Sequence, residues 1–315
     1  MTMTLRSLFT PESLRASVRE AYGLDVTRCV LLRSFVNDVY LVETPSQRYV
    51  LKVYQHGRWS VDEVTWELEL TGHVAAAGVP VPQVVPLTDG RLGATLAAPE
   101  GPRPYALSAY VEEGSKPRFP FTDEIYHDFG RLVAAFHNAG DTFASNRPRR
   151  PADLTNTLTE PLALVLAALA DQPDDQVVVR ALGVEARRRI EGLAAAHGLD
   201  WGVCHGDVSM DNVFLSPRGQ ILYDFDLAAP GWRAADLTGV HSTEHWAAFA
   251  EGYSRTRPLK DSDLIALPWL SVVSGICNLW FHLVDKPAFS GTESVSEGWA
   301  ENELVDLRKA AEELL

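Results

Sequence analysis

The feature that most constrains the fold is a change of pattern at Gly114. Before it, apolar and β-branched residues form short runs bounded by turn residues, namely Val26–Ser34, Val39–Glu43, Tyr49–Tyr54, Arg91–Ala97 and Tyr105–Val111. After it, long helical periodicities dominate, namely Asp123–Asn138, Leu162–Ala170, Gln176–His197, Trp246–Ser254, Asp261–Val284 and Glu301–Leu315. This order predicts an α+β, bilobal protein with a small β-rich N-lobe (residues 1–108) and a larger, mainly helical C-lobe (residues 109–315).

One helix is predicted inside the β-rich region. Ser60 and Glu63 form a capping box, apolar residues follow at helical spacing, and Gly78 ends the helix near Ala77. The segment Val79–Pro82 alternates valine and proline, so it is predicted to be an extended connector.

Charge and cysteine content exclude several classes of protein. The chain has 28 basic and 42 acidic residues and a net charge of −14, so it lacks the basic excess of a general nucleic-acid binder. The three cysteines are far apart and form no CxxC pair, which excludes a zinc ribbon and a disulfide framework. The first twenty residues lack the apolar core of a secretory signal. We therefore expect a cytoplasmic protein.

Leu264–Val284 is the one segment with the length of a membrane span, and it contains no charged residue. It does contain Pro268, Asn278 and His282, and acids rather than a basic cluster flank it on both sides. We interpret it as a buried helix of the larger lobe and expect no membrane partner.

The densest chemistry lies around a strand-like island, Val213–Phe225. Ser216–Gly219 has turn chemistry between two apolar runs, so a hairpin would return Asn212 and Asp224 to one end. Both side chains are hard oxygen ligands of the type that Mg²⁺ prefers. Asp207 precedes them on the same loop, and a carboxylate beside bound Mg²⁺ is the set that phosphoryl transfer needs.

The N-terminal region supplies two further groups for this chemistry. Lys52 lies in the middle of a β-rich run, as a phosphate-positioning lysine does. Glu67 follows fifteen residues later on the capped helix and is suited to pair with it. Glu63 is engaged in the cap, and Glu69 projects from a different face of the helix.

These motifs resemble the aminoglycoside-phosphotransferase-like kinases, which include choline kinase and type II homoserine kinase and have a protein-kinase-like fold. The resemblance covers about residues 25 to 285 and rests on Lys52, Glu67, Gly78–Pro82 (GVPVP), His205–Asn212 (HGDxxxxN) and Asp224–Ala228 (DFxxA). Three weaker matches are Phe129–His137, Asp236-Leu237 and Asn37–Tyr40, the last of which is most similar to the type II homoserine kinases.

The resemblance implies a role for each matching position. Asp207 is the implied catalytic residue, and Asn212 and Asp224 are the implied Mg²⁺ ligands. For ATP, the implied contacts are Lys52 held by Glu67, the hinge Ala109–Glu112 with Ala109 and Val111, and the phosphate loop Ser34–Val39 with Ser34 and Asn37. That loop contains no glycine, which departs from the usual pattern, so it must offer backbone amides from other residue types.

The implied reaction transfers the γ-phosphoryl group of ATP to a hydroxyl of a small molecule. Aminoglycoside-type antibiotics and amino alcohols such as homoserine are the two leading acceptor classes, with a protein serine or threonine still open. The candidate acceptor-binding residues are Trp246, Asn278, His282 and Asp226, the last of which could instead order the loop or the metal. The sequence does not indicate the preference for ATP or GTP, or the oligomeric state.

Two alternatives compete with this interpretation. His241–His245 matches the HxxEH pattern of zinc peptidases, in which two histidines on one helix face bind Zn²⁺ and Glu244 acts as the base. A non-catalytic, nucleotide-binding pseudokinase is the second alternative, although every catalytic position is filled.

Overall fold

The computed structural model describes residues 4–315, and its contacts divide the chain into two units. The sheet unit comprises the described chain up to Phe119, Thr142–Arg149 and Met210–Asp226. The helical unit comprises Pro120–Asp141, Arg150–Ser209 and Leu227–Leu315. The first three residues of the predicted N-lobe, and of the stretch judged not to be a signal, lie outside the described residues.

Six strands form one antiparallel sheet in the sheet unit: β1 (Arg28–Ser34), β2 (Asp38–Glu43), β3 (Arg48–Val53), β4 (Val84–Val85), β5 (Gly93–Ala98) and β6 (Gly101–Ala109). Their order is β1-β2-β3-β6-β4, and β5 also pairs with β6. Burial alternates residue by residue along β2 and β3, so one face of the sheet packs on the core. The predicted β-rich region is confirmed, with strand ends shifted by a few residues.

Two helices pack in the sheet unit. Helix α2 (Val61–Ala76) begins at the predicted capping box, in which Ser60 and Glu63 each accept a backbone hydrogen bond from the other. Helix α1 (Pro11–Tyr22), which the sequence analysis missed, is capped by Thr10 and ends at a left-handed Gly23. It buries Leu14, Val18 and Tyr22 in the core cluster that also contains strand residues of the sheet.

A second hairpin in the sheet unit is formed by β8 (Val213–Ser216) and β9 (Gly219–Leu222). Two further strands, β7 (Trp201–Cys204) and β10 (Ala229–Trp232), pair in the helical unit and were not predicted. Each of these two is only four residues long, so the periodicity that signals a strand is too short to be read.

The helical unit confirms the predicted predominance of helices after Gly114. Its helices are α3 (Asp123–Gly140), α4 (Glu160–Ala168), α5 (Pro173–His197), α6 (Thr238–His241), α7 (Trp246–Ser254), α8 (Asp261–Trp280), α9 (Lys286–Ser290) and α10 (Trp299–Leu314). Helices α3 and α7 pack closely because each presents a glycine: a β-carbon at Gly130 would lie 2.1 Å from the Phe249 carbonyl oxygen, and one at Gly252 would lie 1.9 Å from that of His127.

The predicted helix Asp261–Val284 is wrong in its last turn. The α-helix ends at Trp280, and Phe281–Asp285 forms a π-helical turn before α9. Asn278 and His282 are therefore not one regular turn apart on a single α-helix, as their spacing predicted. The whole helical segment Asp261–Ser290 has the length and hydropathy of a membrane span, and α8 packs against α4, α5 and α10 within the helical unit.

Candidate active site

Lys52 is the centre of a cluster of acidic side chains in the sheet unit. Along β3, Leu51 and Val53 are buried in the core, so the alternation of the strand directs Lys52 to the opposite face. Its Nζ lies 2.6 Å from Asp224 Oδ1, 3.3 Å from Asp226 Oδ2 and 3.8 Å from Glu67 Oε1. The structure thus brings together three acids around the lysine, and Asp224 rather than Glu67 is its nearest partner.

Burial and charge together set the ionisation of this cluster. Burial disfavours the charged ammonium of Lys52, but Asp224, Asp226 and Glu67 outweigh it and raise the pKa of the lysine. Burial raises the pKa of Glu67 to about 7, although Lys52 opposes the shift. Tyr54 donates a hydrogen bond of 2.9 Å to Glu67 Oε1, and Glu67 Oε2 is buried with no hydrogen-bond partner within the described chain.

The β8–β9 hairpin positions the two predicted metal ligands. Val213 pairs with Leu222, and Tyr223 N donates to the Asn212 carbonyl oxygen at 3.1 Å, so the predicted hairpin is present. Asn212 and Asp224 therefore flank the open end of the same hairpin. Asp224 has a φ of 70°, a strained conformation for a residue other than glycine that is typical of functional sites.

The donor set at this end of the hairpin is of the kind that a divalent cation takes. Residues 4–315 contain no group of three or more His, Cys, Asp or Glu side chains that could hold a metal alone. Asp224, its neighbour Asp226 and the amide of Asn212 offer only oxygen donors at this end of the hairpin, and Mg²⁺ completes its coordination with phosphate oxygens and water.

The glycine-free segment Ser34–Val39 is held by side chains. Ser34 Oγ donates to Asp38 Oδ1 at 2.7 Å. Asn37 Nδ2 donates to Asp226 Oδ2 at 2.7 Å, and Asn37 Oδ1 accepts from Gln55 N at 3.2 Å. Asn37 thus links this segment to the Lys52 cluster through Asp226.

Arg6 is a site residue that the sequence analysis missed. It donates to the Phe35 carbonyl oxygen, to Ser34 Oγ at 3.0 Å and to Asp38 Oδ1 at 2.6 Å. Asp38 is buried, and its other oxygen accepts from Arg103 at 2.7 Å. Through Arg6, the N-terminal segment therefore holds the glycine-free segment Ser34–Val39 in place. No local pattern around Arg6 signals a partner about thirty residues away.

A cavity of about 370 Å³ opens beside the Lys52 cluster within the sheet unit. Val39, Ala106 and Leu107 give it apolar walls, and Lys52, Glu67 and Asp224 give it a charged end. This combination of apolar walls and one polar end suits a nucleotide.

Ala109 and Val111 of the predicted hinge line the same cavity. The amide of Ala109 already donates to the Gln83 carbonyl oxygen at 2.8 Å, and that of Tyr110 donates to the Arg48 carbonyl oxygen at 3.1 Å. Both of these hinge amides therefore already have acceptors within the protein.

The loop His205–Ser209 follows strand β7 in the helical unit. Asp236 holds it through two backbone amides, those of His205 at 2.6 Å and Gly206 at 2.8 Å. Gly206 has a φ of 82°, and a β-carbon there would lie 2.4 Å from the Leu227 carbonyl oxygen, so only glycine fits. Asp207 is exposed at the next position, where its amide donates to His205 Nδ1 at 3.3 Å.

His137 supports Asp236 from α3. Its Nε2 lies 3.0 Å from Asp236 Oδ2, and its Nδ1 lies 2.7 Å from Tyr253 Oη. Burial lowers the pKa of His137, so the ring is neutral, with Nε2–H donating to the carboxylate and the tyrosine donating to Nδ1. Burial alone would raise the pKa of Asp236, but the donors around it outweigh burial and lower it.

Comparison with known proteins shows the family to which the chain belongs. The sequence model of the phosphotransferase enzyme family matches residues 29–261. The chain belongs to this family. It is an ATP-dependent phosphotransferase that acts on a hydroxyl group of a small molecule.

Two relatives illustrate the range of sequence similarity to the phosphotransferase. An uncharacterised protein of Deinococcus radiodurans is 36% identical, over 94% of this chain and 89% of its own length. A homoserine kinase of Rhizobium etli is 32% identical, over 75% of this chain and 73% of its own.

Two solved structures share the fold. The microcompartment-associated aminopropanol kinase has a TM-score of 0.73 at 19% identity and covers 95% of both chains. The amicoumacin kinase hAmiN, in complex with AMP-PNP, Ca²⁺ and Ami, has a TM-score of 0.75 at 16% identity, over 96% of this chain and 94% of its own. The predicted protein-kinase-like fold class is confirmed.

The candidate acceptor residues of the phosphotransferase lie in different places. Asp226 belongs to the Lys52 cluster in the sheet unit, where it accepts from Asn37. Trp246 begins α7 and packs edge-on against His241, with ring centroids 5.0 Å apart. Asn278 is exposed and donates to Glu303 at 3.4 Å. The His282 ring stacks on Trp299 at 6.1 Å, and its Nδ1 is buried without a partner among residues 4–315.

The zinc-peptidase alternative is wrong for this phosphotransferase. It requires a helix through His241–His245, but α6 ends at His241 and the next four residues are turns and bends. His245 instead lies 2.7 Å from Asp123 and stacks on Tyr126 at 4.6 Å. The two histidines therefore do not share the helix face that would bind a metal.

Proposed function

We propose that this phosphotransferase transfers the γ-phosphoryl group of Mg-ATP to the hydroxyl of an amino alcohol, with homoserine as the leading acceptor. The observation that carries the proposal is the cluster of Lys52, Asp224, Asp226 and Glu67 at the charged end of the 370 Å³ cavity. The acceptor class rests on the homoserine kinases that are about 30% identical to this chain over three quarters of its length.

Lys52 is the proposed phosphate-binding residue and Glu67 its support. An ammonium among three acids stays charged, so it can hold the phosphates of ATP in line for transfer. Ser34, Ala109 and Val111 are proposed nucleotide contacts around the cavity, and Asn37 is proposed to brace the loop through Asp226.

Asn212 and Asp224 are the residues that would hold Mg²⁺. When bound, the cation offsets the negative charge that develops on the phosphates. This chain's contribution is to order the backbone of both residues: Asp224 has a φ of 70°, and the Asn212 carbonyl oxygen accepts from Tyr223 N across the hairpin.

Asp207 is the proposed residue that orients the acceptor hydroxyl and accepts its proton. It lies directly after two loop amides that Asp236 fixes, so its backbone is ordered while its carboxylate stays accessible. A positioned base contributes about 10²- to 10⁴-fold in rate. Trp246, Asn278 and His282 stay proposed acceptor contacts.

We further propose that residues 1–108 form the N-lobe of a cytoplasmic enzyme, with the nucleotide-binding sheet and its helix, and that residues 109–315 form the C-lobe, with the hinge, the catalytic loop and the acceptor-binding helices. Aminoglycoside-type antibiotics are the second acceptor class that the sequence resemblance implies.

The experiment that tests the function is Mg²⁺-dependent release of ADP across a panel of acceptors. The panel contains homoserine, 1-amino-2-propanol, choline, spectinomycin and a kanamycin-type aminoglycoside, each with wild-type protein and Asp207→Ala. We expect homoserine or 1-amino-2-propanol to accelerate ADP release in the wild type only. If only an antibiotic accelerates ADP release, the acceptor is an antibiotic and not an amino alcohol. No acceleration by any member, with Mg-ATP still bound, would contradict both proposed acceptor classes.

A further inference from the structure

A segment that the proposed mechanism does not use lies along helix α2. This strap, Thr142–Arg149, belongs to the sheet unit although the helices on either side of it in sequence belong to the helical unit. Thr142 Oγ1 lies 3.1 Å from His73 Nε2 near the C-terminal end of α2. Arg147 donates to Asp62 at 2.6 Å in the first turn of the helix. The strap therefore spans α2 from one end to the other.

The middle of the strap is anchored by packing and by a hydrogen bond. The Phe143 ring meets Trp66 edge-on, with centroids 5.2 Å apart, and lies 5.5 Å from the His73 ring. Ser145 Oγ donates to Glu69. Glu69, which the sequence analysis set aside as a partner of Lys52, thus holds the strap from the face of α2 that lies away from Lys52.

Arg149 ends the strap at the Lys52 cluster. Its guanidinium lies 4.1 Å from the centroid of the Trp59 ring and 5.4 Å from that of Trp66. It donates to the carbonyl oxygen of Asp226 and, at 3.4 Å, to that of Glu63. One planar cation thus connects the first turn of α2 with the segment that carries Asp224 and Asp226.

The chemistry of these contacts suits positioning rather than substrate binding. The guanidinium faces two indole rings and two backbone carbonyls. Arginine is preferred over lysine where a cation stacks on aromatic rings and donates two hydrogen bonds from one planar group. Its charge also acts on the acids beside it, since Arg149 opposes the rise in the pKa of Glu67 that burial causes. Arg149 thus adds a second positive charge, besides that of Lys52, beside Glu67 and Asp226.

We propose that Arg149 is a positioning residue that fixes Asp226 and helix α2, and thereby presents Asp224 and Glu67 in the arrangement that binds the metal-nucleotide complex. The inference rests on the proposed function, because it assigns the metal to Asp224. It predicts that loss of the guanidinium weakens binding of Mg-ATP much more than binding of ATP alone, because the nucleotide base and ribose do not depend on the position of Asp224.

The test compares dissociation constants of ATP with and without Mg²⁺, measured by isothermal titration calorimetry, in wild type, Arg149→Met and Arg149→Lys. Arg149→Met keeps an apolar side chain against the two tryptophan rings and removes the guanidinium. We expect it to weaken Mg-ATP binding about tenfold, the loss typical of one charge-assisted contact, and to leave Mg-free ATP within about twofold. Arg149→Lys keeps the charge, and its affinity for Mg-ATP is expected to lie between those of the wild type and Arg149→Met.

Arg147→Met is the matched control, because Arg147 lies on the same strap but its side chain is half exposed and pairs with Asp62. It should bind both forms of ATP as the wild type does. Equal weakening of both forms in Arg149→Met, together with a lowered melting temperature, would show a merely structural role and overturn the inference. Wild-type binding in Arg149→Met would overturn it as well. If Arg149→Met does not fold, Trp59→Leu removes one stacking partner and is expected to change the Mg²⁺ dependence in the same direction.

The wild-type titration separates this inference from the function on which it rests. A wild type that binds ATP equally well with and without Mg²⁺ would contradict the proposed metal site itself. A wild type that prefers Mg-ATP, with an Arg149→Met that prefers it equally, would contradict only the role of Arg149.

Discussion

Asp236 is the residue through which the helical unit orders the loop before Asp207, so replacing it tests how that loop is held. The buried carboxylate accepts from three donors: His205 N at 2.6 Å, Gly206 N at 2.8 Å and His137 Nε2 at 3.0 Å. In Asp236→Asn, the amide oxygen can replace the oxygen that serves His205 and His137. The amide NH₂ group would then face Gly206 N, which leaves a buried donor without an acceptor.

The magnitude follows from these contacts. An unsatisfied buried donor costs about 1–3 kcal/mol, and the two remaining hydrogen bonds lose their charge assistance. We expect the free energy of unfolding to fall by about 3 kcal/mol and turnover to fall about 100-fold, because Asp207 follows the released loop directly.

Urea unfolding followed by tryptophan fluorescence measures the first effect, and Mg²⁺-dependent ADP release measures the second. Asp128→Asn is the control, since Asp128 lies in the same unit but is exposed and makes loose ion pairs, at 3.7 Å with His127 and at 3.8 Å with Arg131. It should change neither quantity. An Asp236→Asn variant as stable and as active as the Asp128→Asn control would refute the idea that this carboxylate orders the loop.

Three further predictions concern other parts of the molecule. Arg6→Gln should weaken Mg-ATP binding about fivefold in calorimetry, because Arg6 holds the segment Ser34–Val39. Stability should change little, because buried Asp38 keeps Arg103 as a partner. Unchanged binding would show that this segment does not need Arg6. Gly252→Ala should lower the free energy of unfolding by about 3 kcal/mol, because its β-carbon would overlap the facing backbone of α3, whereas exposed Gly192→Ala on α5 should not lower it. The free energy of unfolding should fall as the pH falls below 6.5, because buried His137 resists a proton that the unfolded chain accepts. A His137→Gln variant with the same pH profile as the wild type would contradict the assignment of this loss to His137.

The parts of the site that could be predicted from the sequence are those set by local chemistry. Three features depend only on neighbouring residues and can therefore be recognised from the sequence. They are the capping box of α2, the turn in the β8–β9 hairpin and the strand around Lys52. The hairpin explains why Asn212 and Asp224 were expected at one end: strand pairing converts a separation of twelve residues into proximity. The roles assigned to these residues stay predictions.

The parts that could not be predicted depend on contacts between distant segments. Lys52 was expected to pair with Glu67, but Asp224, which lies 172 residues further along the chain, is nearer to the lysine, at 2.6 Å. Arg6 and Arg149 lie in stretches without periodicity, and their partners are carbonyls and rings far along the chain. The π-helical turn after Trp280 was missed because its sequence continues the apolar pattern of α8 without a break.

The central claim is that Asp207 directs the γ-phosphoryl group of ATP to an acceptor hydroxyl. The most direct measurement follows ³²P from [γ-³²P]ATP to homoserine, or to whichever member of the panel accelerates ADP release, in wild type, Asp207→Asn and Asp211→Asn. Asp211 is the matched control, because it is an exposed acid on the same stretch of chain. We predict labelled acceptor in the wild type and Asp211→Asn, and a rate at least about 100-fold lower in Asp207→Asn with Mg-ATP still bound. Transfer by Asp207→Asn at the wild-type rate, or consumption of ATP by the wild type with no label on any acceptor, would contradict the account.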